Sequence, residues 1–128
     1  MVNVSYFEGK NYLRELIVTT IVEGKVVDVD LTGGEISGLR YYQVGELEGT
    51  YEYLIKIRLA SKEYPEQETN YFFSPRRVEL AKLYNEQGEE INFEQIEPGS
   101  SIRIEETVDL MSTNRDDANV KSLLIRVQ

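Results

Sequence analysis

Apolar and polar positions alternate with a period of two through most of this chain. The clearest run is Tyr51 to Ala60: Tyr53, Ile55, Ile57 and Leu59 fall on one face, Lys56 and Arg58 on the other. Leu13 to Leu31 reads as a second strand-rich block, with Leu16, Val18, Val27, Val29 and Leu31 in alternation. Gly24 interrupts that block and predicts a bend or bulge between two halves. Thr32-Gly33-Gly34 predicts a turn, and Asn70 to Phe73 a further strand. Ile102 and Ile104 flank Arg103 after a Pro98-Gly99 turn, and Val120 to Gln128 closes the chain as a strand.

One segment breaks the period. Ser74 can cap a first helical turn, Pro75 suits its first position, and Val78, Ala81 and Tyr84 recur at helical spacing. Gly88 can close such a helix in the left-handed conformation. The expectation is a helix over Pro75–Asn85, followed by alternation again from Glu89 through Ile91 and Phe93 to Ile96. Residues 1–12 read as a loosely held lead-in, and Leu39 to Val44 as a short strand inside a glycine-rich insertion between Glu35 and Gly49. Ser112 to Asn119 reads as a polar loop. No linker divides the chain, so residues 1–128 are expected to form a single domain.

The expected order is three strands, a helix, and two strands. Gly24-Lys25-Val26-Val27-Asp28-Val29, the helix at Pro75–Asn85 and the turn-plus-strand Ile96 to Ile104 together resemble the OB-fold, a partly open Greek-key barrel. The likeness is at the level of the fold and implies a mainly β, five-stranded, mostly antiparallel barrel with one short helix between strands 3 and 4. The long aromatic insertion after the first strand departs from that pattern. The core expected from the alternation is Val18, Val27, Val29, Ile55, Ile57, Phe72, Val78, Ala81, Ile91, Ile102, Ile104, Leu123 and Ile125.

Composition removes much chemistry. The chain has neither cysteine nor histidine. That excludes disulfides, a thiolate nucleophile, cysteine-held metal and the commonest general base. The opening Asp28-x-Asp30-x-Thr32-Gly33 suggests a calcium loop, but its twelfth position is Leu39, where a bidentate glutamate is needed. Asn114, Asp116, Asp117 and Asn119 read as loop solvation. No metal, cofactor or catalysis is expected. No apolar run reaches the ~20 residues of a membrane helix, so no membrane insertion is expected either. The N-terminus lacks the basic-then-apolar order of a signal peptide, which predicts a cytoplasmic protein, or an extracellular one whose leader has been removed.

Charge supplies the remaining clue. Of 23 acids and 14 bases, eight acids and only Arg103 fall between Glu86 and Asp109, leaving 15 acids against 13 bases elsewhere. The first functional reading is a non-enzymatic binding module that docks a protein partner, a basic one, through Glu94, Glu97 and Glu105 and through the adjacent rings of Tyr41 and Tyr42. The alternative is single-stranded nucleic-acid binding by an OB-like basic and aromatic face. That face would comprise Lys56, Arg58, Arg76 and Arg77 with Tyr71 or Phe73 as stacking platform. The net charge of −9 opposes the alternative.

Overall fold

A computed structural model of the chain describes residues 2–6, 13–36, 49–60, 67–109 and 120–128. Its organising element is a single strand of 18 residues, β2 (Leu13–Asp30). Gly24 does not divide it. There β2 lies so close to its neighbour that a Cβ on Gly24 would sit 2.1 Å from the Arg58 carbonyl oxygen and 2.8 Å from Ile57 Cγ2. The irregularity falls two residues later: Val26 pairs with Ile57 but Asp28 with Lys56, so Val27 is an extra, bulged residue. The bulge reverses the parity of the strand. Val22 and Val26 are buried before it, whereas Val29 packs on the core after it and Val27 is only half-buried.

The other strands add to β2. β1 (Val2–Tyr6) pairs antiparallel along residues 13–18, so part of the expected lead-in is a strand. β3 (Gly34–Glu35) and β4 (Thr50–Tyr51) make a small separate sheet at the base of the insertion. β5 (Tyr53–Leu59) pairs with Gly24–Asp30 of β2, and β6 (Glu68–Phe73) with β5. Helix α1 (Pro75–Leu80) follows, then β7 (Ala81–Tyr84), β8 (Ser101–Asp109) and β9 (Val120–Val127). Because β8 occupies one edge of β2 from Ile17 to Lys25, β1 and β5 must follow each other along the opposite edge. The main ladder runs β6-β5-β2-β8-β9-β7, with the β7–β9 pair parallel and the others antiparallel.

This arrangement corrects the expected five-stranded barrel. The ladder is a mixed six-stranded sheet, and among the described residues no strand pairing joins its ends, β6 and β7, so it is not closed. Two local differences separate the observed elements from the expected ones, and the first supplies the extra strand. The helix begins as its sequence requires, with Ser74 Oγ accepting from the Arg77 N–H, but it ends at Leu80 rather than Asn85. So short a helix gains few internal hydrogen bonds. Pairing Ala81–Tyr84 with Leu123–Arg126 satisfies the backbone and buries Leu83. Gly88 then serves a turn, not a helix end: its φ is 80°, and the Asn85 side chain accepts from the N–H groups of Gln87 and Glu89. The expected strand from Glu89 to Ile96 is instead a single bridge to Tyr84 and a 3-10 turn at Phe93–Gln95 that buries Phe93 and Ile96.

The core lies beneath the sheet. Ile55, Ile57, Ile102, Ile104, Leu123 and Ile125 are buried as expected, while Val78, Ala81 and Ile91 pack on it partly exposed. Its aromatic centre is a chain of rings. Phe73 and Phe93 meet edge-on at 4.9 Å, with Tyr71 and Tyr53 on either side at 5.0 and 4.6 Å. Strand β6 is buried on both faces, since Phe72 points away from these rings and rests on Tyr51.

Candidate functional site

Gly24 draws β2 and β5 together, and beside that crossing the outer face of the sheet is hollowed into a groove of about 500 Å³. Four adjacent strands contribute to it. Register fixes the arrangement: Glu23 of β2 opposes Arg103 of β8, which opposes Arg126 of β9. Two residues further along β2, Lys25 lies between Ser101 of β8 and Arg58 of β5. All four cations line the groove and are exposed, with Glu23 the only acid among the lining residues. The groove is therefore positive in a chain of net charge −9.

The four cations are not equivalent. Arg103 is held between Glu23 at 3.2 Å and Glu105 at 3.0 Å, and Arg58 binds Glu68 at 3.2 Å. Lys25 and Arg126 have no such partner among the described residues. Arg126 also stands directly across from another arginine. Like charges in that relation repel and destabilise the pair unless an anion lies near.

A second polar constellation lies inside the molecule. Tyr71 on β6, Arg77 on α1 and Glu106 on β8 are each fully buried. Glu106 has the inward parity of Ile102, Ile104 and Val108. Its carboxylate accepts from the Tyr71 hydroxyl and from Arg77 Nη2, both at 2.5 Å. Burial, and then the Glu106 carboxylate beside it, hold the Tyr71 phenol well above the usual tyrosine range, only partly offset by Arg77. The pair fastens the short helix to the middle of the sheet. Opposite Glu106 on β2, the Thr20 hydroxyl is buried and has no hydrogen-bond partner among the described residues.

These positions redistribute the residues expected to form surfaces. Tyr71, Phe73 and Arg77 are fully buried, so the basic and aromatic platform does not exist as a surface. Lys56 and Arg58 are exposed on β5, and Arg76 is exposed beside Glu79 at 3.6 Å. Of the acids, Glu94 and Glu97 are exposed near the 3-10 turn, but Glu105 is half-buried against Arg103. Glu106 and Asp109 are buried, and Asp109 Oδ1 accepts from the Leu16 N–H at 3.0 Å. The acidic segment is thus divided between surface and interior. Tyr41 and Tyr42, and the loop containing Asn114 to Asn119, lie outside the described residues.

At the Asp28–Gly33 turn, Asp30 gathers hydrogen bonds. Asp30 Oδ1 accepts from the N–H and hydroxyl of Thr32, and Oδ2 from Tyr51, an arrangement that holds this carboxyl below its ordinary range and raises the Tyr51 phenol. Among the described residues no group of three acids, histidines or cysteines could hold a metal ion, and no helix is long and apolar enough to cross a membrane.

Lys25, Arg103 and Arg126 escaped the sequence reading because each is one outward cation between apolar neighbours. Only the cross-strand register assembles them. Comparison of the chain with protein-family models, with curated proteins and with solved structures found no match.

Proposed function

We propose that this chain is a non-enzymatic binding domain that acts through protein contacts, with the groove beside Gly24 as its contact surface. The observation that carries this reading is the groove itself. It gathers four cations from four adjacent strands into one concave surface, and its polar groups stand on paired strands rather than loops. With β7 set aside as an added edge strand after the helix, the order β2, β5, β6, α1, β8, β9 supports regarding the sheet as an opened relative of the OB arrangement, although a fold does not fix a function.

Single-stranded nucleic acid ranks second. Such ligands use exposed stacking rings, and the rings expected to serve are in the core. Arg58 and Arg103 already have carboxylate partners, which leaves two groove cations unpaired among the described residues. Two phosphate contacts give a log–log salt slope of only about −1.4, a weak electrostatic grip.

Affinity capture tests the reading. Immobilised wild-type chain, the groove variant Lys25→Glu/Arg126→Glu and the acidic-surface variant Glu94→Lys/Glu97→Lys are exposed to one cell extract at low salt. Proteins retained by the wild type and the acidic-surface variant but lost from the groove variant support it. Equal retention by all three, or loss only from the acidic-surface variant, removes the groove as the contact surface. Retention abolished by nuclease promotes nucleic acid instead.

A further inference from the structure

We propose that the groove recognises an extended acidic peptide segment through two carboxylates, one placed on Lys25 and the other on Arg126. The inference rests on the binding-domain reading above and adds the chemistry and spacing of the ligand.

Three observations lead to it. First, the charges alternate. Glu23, Glu68 and Glu105 sit among the cations and neutralise Arg103 and Arg58, so a uniform polyanion meets repulsion along the groove, whereas a chain with separated charges does not. Second, Lys25 and Arg126 remain available among the described residues, and the Arg126–Arg103 opposition is relieved by an anion. Third, the register gives a distance. From β9 across β8 to β2 is two strand spacings of ~4.8 Å, and Lys25 is offset by two residues of ~3.4 Å, which separates the two backbones by about 12 Å. An extended chain advances ~3.3 Å per residue, so acidic side chains about four residues apart on one face match both cations. Ile21, 47% exposed, stands on the same face one alternate position beyond Glu23 and offers an apolar contact at the margin.

The test is a nuclear magnetic resonance titration of the isotope-labelled chain. The probes are a flexible Gly/Ser peptide with two glutamates about four residues apart, the same peptide with them adjacent, its glutamine counterpart, and an oligothymidylate of similar length. The expected result is that the spaced peptide shifts the amides of Lys25, Ser101, Arg103 and Arg126 and binds more tightly than the adjacent one. Binding should weaken from about 20 to about 200 mM salt, and by at least about tenfold in either Lys25→Ala or Arg126→Ala. The glutamine peptide should leave these amides unmoved. Equal binding of spaced, adjacent and neutral peptides overturns the proposal. So does preferential binding of the oligothymidylate, and so does an absence of shifts with every probe. In each of those cases partners captured by wild type and lost from the groove variant keep the broader reading alive, so the two failures are distinguishable.

Discussion

The interior and the groove each hold arginine beside glutamate, yet the two regions differ in every physical respect. Arg77 and Glu106 are fully buried, and their charges have left water entirely. Arg103 is 45% exposed beside Glu23 and Glu105, and solvent screens its pairs to roughly 0–1 kcal/mol each. Inside, the pairing is obligatory because an unpaired buried charge is far more costly than an unpaired exposed one. Outside, Lys25 and Arg126 have no carboxylate partner among the described residues, at little cost to folding because both are exposed. Availability, not the presence of charge, separates the structural pair from the candidate site.

The comparison breaks most readily at Arg77. Arg77→Ala strands Glu106 in the core and is expected to destabilise by about 3–5 kcal/mol in urea unfolding. A loss within about 0.5 kcal/mol, typical of surface sites, would mean that the pair is not buried in solution.

Gly24 belongs to both regions, since it sets the closeness of β2 and β5 above the core and shapes the groove. Gly24→Ala forces a methyl onto the Arg58 carbonyl, so a loss of about 1–3 kcal/mol is expected, with shifted groove amides. Wild-type stability would show that the strands separate freely.

Tyr71 sharpens the interior side. Tyr71→Phe removes a donor from the buried carboxylate and should cost about 1–3 kcal/mol near neutral pH. It also carries a pH signature. The unfolded chain releases a phenol proton near pH ~10, whereas the folded chain retains that of Tyr71 to higher pH. The stabilisation is therefore complete below pH ~10 and is lost as pH rises through the folded value. Unfolding free energies measured across alkaline pH should fall less steeply for Tyr71→Phe than for wild type, and parallel curves would contradict a raised Tyr71.

Thr20 provides the opposite sign. Its buried hydroxyl has no hydrogen-bond partner among the described residues, so Thr20→Val should stabilise by about 1 kcal/mol in thermal unfolding. A destabilisation would show that the hydroxyl supports Glu106 across the strand pair. The smallest effect is expected in the groove, where Lys25→Ala and Arg126→Ala should change stability by no more than about 0.5 kcal/mol. A larger loss at Arg126 would make it structural and erase the contrast with Arg77.

Alternation placed a strand in Tyr51–Ala60 and another around Ile102-Arg103-Ile104, where β5 and β8 lie, because one buried face imposes a period of two on any half-buried strand; the strand expected over Val120–Gln128 is β9. The Ser74-Pro75 start of the helix was equally legible, since capping is settled by neighbouring residues. Its end was not: Ala81 to Tyr84 has helical spacing, and only the free edge of β9, from distant residues 123–126, turns it into a strand. Nor does the sequence show that Val27 is bulged, that Glu106 faces inward against Arg77, or that two lone arginines and a lysine share one groove. Local pattern determines which segments extend and which face each residue takes. Which charges meet, and whether water reaches them, depends on register between strands far apart in the chain, and only the tertiary structure decides it.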